Sequence, residues 1–217
     1  MGVAARVLAP RDQLVAAARR LLDADGLEGI GLRQIARACG VSHGAPLRHF
    51  PTLAHLLAAV AAQGFCELHA SVGAAVAAAG ARATSLARLR AASRGYVRFA
   101  LANPGVFGLM FRPERFDADD PDLEQAGAAA FGQIVELAAA AQTAGLRPDV
   151  AATELAAACW ASVHGLAQLW IQGSLQGATH DGARLDTLLD LTQDLLLDGI
   201  GAPRTTKKPA RRRRTAR

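Results

Sequence analysis

Apolar residues recur along this chain at helical spacing and are cut at intervals by glycine and proline. Leu14, Val15, Ala18, Leu21 and Leu22 share one face of a helix predicted over residues 10–24. Pro10 suits its first turn, and Asp25-Gly26 ends it, because Gly accepts the left-handed conformation that closes a helix. A short linker, 27–31, leads to a second helix over 32–39. Gly40-Val41 turns the chain, and Ser42 is a good N-cap for a third short helix ending near Phe50. Pro51-Thr52 restarts a long helix with Leu53, Leu56, Leu57, Val60, Ala61, Phe65 and Leu68 on one stripe. Residues 73–83, rich in Gly and Ala, read as frayed helix or loop. Helices follow over 85–103, 106–111, 122–144, 149–172 and 186–199, with an exposed polar loop at 112–121. No strand or internal repeat is legible, so the fold class is all-α.

Residues 32–50, LRQIARACGVSHGAPLRHF, carry the most information. A helix-turn-helix needs a small residue where its helices cross, and Ala36 fits; it needs Gly in the turn, and Gly40 fits. Ile35, Val41 and Leu47 are the apolar residues expected to fix the second helix against the first. That helix then presents His43, Gly44, Ala45 and Arg48 to a DNA major groove. An ordinary helical hairpin is the alternative, and it leaves Arg33, Arg37 and Arg48 on such short helices unexplained.

IARACGVSHGAPLRHF, followed by a long amphipathic helix, resembles the DNA-binding domain of the TetR family over about residues 10–60. The match to that family's IAxxAGVSxGxLYxHF pattern falls at Ile35, Ala36, Gly40, Val41, Ser42, Gly44, His49 and Phe50. It departs at Leu47 and Leu53, where the family commonly has Tyr and Lys on the DNA backbone, and at Pro46, where Leu is usual. The resemblance implies a DNA surface at Arg33, Ser42, His43, Gly44, Ala45, Arg48, His49 and Thr52, with phosphates held partly by helix N-termini. Trp160-Ala-Ser-Val-His164-Gly165-Leu166, with the Asn103-Pro104 turn before a short apolar helix, resembles the Trp…His-Gly subfamily of the same family's C-terminal domains, over roughly 85–198.

Composition sharpens this picture. Apolar residues make up 51% of the 217 but aromatics only 5%, so packing falls to Ala, Leu and Val, which favour helices here. The net charge of +5 hides an asymmetry. Residues 204–217 hold eight Lys or Arg and no acid; without them, 16 basic residues face 19 acidic ones, a body at −3. Residues 1–50 hold seven Arg and four acids. Basic charge at both ends points to a polyanion, nucleic acid before membrane. Cys39, Cys66 and Cys159 are dispersed and read as buried thiols of a reduced cytosolic protein, without the density zinc requires. The uncharged stretch 155–171 is short for a membrane span and reads as a mostly buried helix. No GxSxG, HExxH, Walker or Rossmann pattern is present, and the carboxylates fall at predicted helix ends and loops, so an enzyme, a cofactor and a metal are not expected.

The expected architecture is a flexible arm (1–9), a three-helix helix-turn-helix domain (10–51), a helical regulatory and dimerisation domain (52–201) joined to it by the long helix, and a disordered basic tail (202–217). The implied protein is a cytoplasmic, nucleoid-associated regulator: a homodimeric repressor released from a palindromic operator on double-stranded DNA by a small apolar or amphipathic effector. An architectural DNA binder without effector stays open, with the tail as a phosphate-binding arm. Tyr96, Phe99, Phe107, Met110, Phe111, Phe131, Trp160 and His164 are the candidate ligand residues. Val163, Leu166, Trp170, Leu189 and Leu196 on the last two long helices are the candidate dimer face, with Gly165 permitting close helix approach.

Overall fold

The structure is a computed structural model and describes residues 9–178 and 184–201. The expected arm, apart from Ala9, and the basic tail lie outside the described residues. Within them the regular structure is helical, as the periodicity predicts. α1 (Pro10–Asp25) starts on Pro10 and stops at Gly26, whose φ is +72°. α2 (Leu32–Ala38) follows, and the chain then turns through a 3-10 segment, Pro46–Arg48. α3 (Leu53–Ala78) is the axis of the molecule, in contact with α1 and with three later helices, α4 (Ser85–Ala102), α5 (Pro104–Met110) and α6 (Pro121–Thr143). α7 (Ala152–Ile171) packs on α4 and α6. The short α8 (Ser174–Ala178), not legible in the sequence, precedes α9 (Leu185–Gly201), which packs on α7.

Local chemistry explains the starts. Thr52 and Thr84 accept the backbone N–H of His55 and Ala87 at the heads of α3 and α4. Asp120 accepts that of Leu123 (3.0 Å) at the head of α6, where Pro121 fills the first turn. Glu154 accepts the Ala151 N–H at the head of α7; Ala151 has no acceptor to return, so this is half a capping box.

Residues 73–78, read as frayed helix or loop, instead continue α3, because Val72, Ala75 and Val76 pack on the core and hold the last turns. α3 is long and apolar enough to span a membrane. Its apolar positions face its helical neighbours, and Leu155, Ala156, Cys159, Val163, Leu166 and Ala167 do the same for α7. The cysteines are only partly as expected: Cys159 is buried, Cys39 half-buried and Cys66 exposed on the outer side of α3.

Candidate functional site

The N-terminal head is built on a tight helix end. The Gly40 N–H donates to the Arg37 carbonyl (3.1 Å) and the Val41 N–H to the Ala36 carbonyl (3.0 Å), with Gly40 at φ +66°. This is the Schellman arrangement, which needs a residue that tolerates positive φ. Ile35 and Ala36 are fully buried beneath it, as the helix-turn-helix reading requires.

The next segment corrects that reading. Ser42–Phe50 was expected to be a helix, yet only Pro46–Arg48 is regular, and as a 3-10 turn. Pro46 sits where an α-helix capped by Ser42 would need its first N–H, and proline has none. The chain closes i→i−3 bonds instead: Ala45 N–H to Ser42, Arg48 to Ala45 and His49 to Pro46. Nor does Leu47 brace the angle, being 55% exposed, and Val41 is exposed as well; Pro46 and Phe50 are the buried contacts. The Arg11 guanidinium lies over the Phe50 ring, 5.1 Å from its centroid.

Seven of the eight predicted DNA residues lie along 42–52, and Arg33 lies on α2. Arg33, Ser42, His43, Gly44, Arg48, His49 and Thr52 are exposed and Ala45 is half-buried. Thr52 also holds the start of α3, its hydroxyl 2.8 Å from His55 Nδ1, while His55 Nε2 lies 3.3 Å from Asp117. Further ties run from the head to the body. Arg19 pairs with Glu67 on α3 and donates to Asn103 Oδ1 (2.5 Å). Asp23 accepts the Gly105 N–H at the start of α5, and Arg115 donates to Glu28 and to the Leu27 carbonyl. Sequence reasoning missed these ties, because each joins residues far apart in the chain.

In the body, aromatic rings from α3, α4, α6, α7 and the α5 end converge. Phe111 meets His164 edge to face at 4.4 Å, Phe107 at 5.3 Å and Phe65 at 5.7 Å; Phe131 meets Trp160 at 5.9 Å. A hydrogen-bonded chain crosses the cluster. Trp160 Nε1–H donates to the Tyr96 hydroxyl (3.1 Å), and the same hydroxyl is hydrogen-bonded to His164 Nδ1 (2.8 Å). His164 is half-buried. Burial pulls its pKa below the usual 6.5, and burial drives that of Tyr96 well up, against a smaller lowering by the Trp160 bond.

Beside this chain lies a cavity of about 220 Å³, nearly all apolar. Of the candidate ligand residues, Tyr96, Phe111, Phe131 and Trp160 line it. Phe107 and His164 stand behind them in the ring cluster. Phe99 and Met110 do not reach it: Phe99 is packed in the core, and Met110 is packed against Gly64 of α3. The remaining walls are Phe65, Leu68, His69 and Val72 of α3 and Gly127, Ala130, Gln133 and Ile134 of α6. Phe65 and Leu68 had been read only as an α3 core stripe; the others gave no signal beyond helical spacing.

The expected dimer face also needs correction. Val163, Leu166 and Leu189 are buried inside the protomer, and Trp170 and Leu196 are half-buried. Among the described residues, the large apolar side chains that α7 and α9 leave exposed are Trp160, Leu169, Leu191 and Leu195. Helical spacing names an apolar stripe but not which stripe the rest of the chain covers. No side chain crowds Gly165, so it marks no close helix crossing within the protomer.

Two family models match the chain in order: bacterial regulatory proteins, tetR family, over residues 14–60, and Tetracyclin repressor-like, C-terminal domain, over 89–192. No curated protein matches it. Among solved structures, a protein with unknown function from Rhodococcus sp. RHA1 is 32% identical over 92% of this chain and 100% of its own, with a TM-score of 0.77. A bacterial regulatory protein in the tetR family from Rhodococcus RHA1 (20% identity, 90% and 98% coverage, TM-score 0.66) shares the fold. So does the fatty acid degradation regulator FadR from Bacillus halodurans (13%, 90% and 98%, 0.70). The helix-turn-helix with its tight Gly40 turn, the helical body and the two ordered matches agree: the chain belongs to the TetR family and is a DNA-binding transcriptional regulator.

Proposed function

We propose that the protein is a homodimeric repressor that leaves a palindromic operator when a small apolar or amphipathic molecule enters the 220 Å³ cavity. One observation carries this reading. α3 begins four residues after His49 in the DNA-reading head and, farther along, supplies Phe65, Leu68, His69 and Val72 to the cavity wall. An occupant that favours one placement of α3 thereby favours one placement of the head, and shifts the population only as far as its affinities for the two shapes differ. On DNA, Arg48, His43, Gly44 and Ala45 read bases, while Arg33, Ser42, His49 and Thr52 hold phosphates. The partner protomer docks through α7 and α9, on a surface that includes Leu169, Leu191 and Leu195. The C-terminal half belongs with the Trp…His-Gly group, and the protein works in the cytoplasm at the nucleoid, without catalysis.

The test is an anisotropy titration of a palindrome from DNA flanking the gene, with and without lipophilic small molecules. Release of operator by such a molecule, lost on filling the cavity through Phe131→Trp, supports the reading; operator binding indifferent to every such molecule rejects it. The basic run at 204–217 favours a second reading, an architectural DNA binder. Deleting that run separates the two: an architectural binder loses its affinity, whereas a repressor keeps its operator preference.

A further inference from the structure

A second cavity, of about 40 Å³, lies between α4, α7 and α9, on the other side of Tyr96, Ile134 and Trp160 from the first. Gln193 of α9 is 2% exposed and lines it, and neither its Oε1 nor its Nε2 has a hydrogen-bond partner. A buried amide left unpaired at both ends is costly, so native structures pair such groups with something. Because both atoms are free, exchanging the amide's oxygen and nitrogen does not remove the deficit. The hydroxyls in the lining do not satisfy it: Ser93, Ser162 and Thr192 each donate to a carbonyl of their own helix, at 3.1, 2.9 and 2.7 Å, and the Tyr96 hydroxyl is bonded to Trp160 and His164. Their lone pairs remain as acceptors. The rest of the lining is apolar, with Leu89, Val163 and Leu197 among it, and no Lys, Arg, His, Asp or Glu takes part.

We propose that this cavity is a binding site, separate from the aromatic one, for a small uncharged primary amide held by paired hydrogen bonds to Gln193. The ligand carbonyl accepts from Nε2–H, and the ligand N–H donates to Oε1. Charge is selected against, because no group in the lining would pair with a buried carboxylate or ammonium. Size is limited as well: at roughly 10–15 Å³ per water, the space takes about three waters or one short head group.

The test is a ligand-observed NMR titration of the full chain with propionamide, and with propionate as the charged counterpart. Propionamide binds the parent saturably and propionate does not. Gln193→Leu weakens propionamide at least about tenfold, since two hydrogen bonds are lost. Removing an unpaired buried amide favours folding of that variant, and Gln193→Met serves as a second one. Phe131→Trp, which narrows only the larger cavity, leaves propionamide binding unchanged, so this site stands or falls apart from the effector reading. Equal propionamide affinity in the parent and both Gln193 variants overturns the proposal, as does its loss in Phe131→Trp. No binding to the parent assigns the cavity to water and overturns it too.

Discussion

The Tyr96 hydroxyl accepts the Trp160 indole N–H at 3.1 Å and is hydrogen-bonded to His164 Nδ1 at 2.8 Å. Tyr96 stands 64 and 68 positions from Trp160 and His164, and the three form one hydrogen-bonded chain, from α7 to α4 and back to α7. Burial of the His164 ring favours its neutral form.

This chain sets a pH dependence. The folded pKa of His164 lies below 6.5 because burial disfavours the imidazolium. The unfolded state therefore binds the proton first as pH falls. Stability from this residue is complete above about pH 6.5 and declines as pH falls from there through the folded pKa. Tyr96→Phe removes the hydrogen-bond partner of His164 Nδ1 and strands the Trp160 N–H, at a cost of about 1–3 kcal/mol. Nitrogen chemical shifts of the imidazole follow its titration. A His164 that titrates above 6.5 in the folded parent contradicts the lowered pKa.

Gly105 lets α5 rest on α1. A Cβ built there meets the Leu22 backbone at 2.6 Å, and the Gly105 N–H reaches Asp23 at 3.2 Å. Backbone cannot swing aside as a flexible side chain does. Gly105→Ala should cost about 1–3 kcal/mol by overpacking and loosen the head from the body. Thermal unfolding with hydrogen exchange of α1 measures both effects; a parent-like melting curve and parent-like protection of α1 would disprove the close contact.

Arg48 is exposed on the 3-10 turn, and Arg33 is exposed at the start of α2. Arg48→Ala should cost on the order of 1–3 kcal/mol at one base position of the operator. Arg33→Ala should weaken every sequence alike and reduce the salt slope by about one. Binding titrations over single-base operator variants distinguish them, and a uniform loss for Arg48→Ala would reassign it to phosphate.

Leu195 is 69% exposed and Leu191 is 52% exposed on α9, whereas Leu189 is buried within the protomer. Leu191→Glu with Leu195→Glu should give a folded monomer in sedimentation, with operator binding weakened because two half-sites are no longer linked. Leu189→Glu should instead unfold the chain. A double variant that still sediments as a dimer places the interface elsewhere.

The sequence by itself determined the long helices, most of their approximate ends and the family. Those features depend on local rules: apolar period, capping residues, the Gly40 turn and a contiguous motif. It also named aromatic residues that converge, since Trp160 and His164 share a helix face. Tertiary structure alone decided three things. It made the reading segment a 3-10 turn, because the missing N–H of Pro46 outweighed the helical pattern around it. It buried Leu189 and left Leu195 outside, because α9 turns one of its apolar faces to α7. It placed Gln133 and Gln193 at cavities, since a void is where packing from several helices falls short, and no single helix records that.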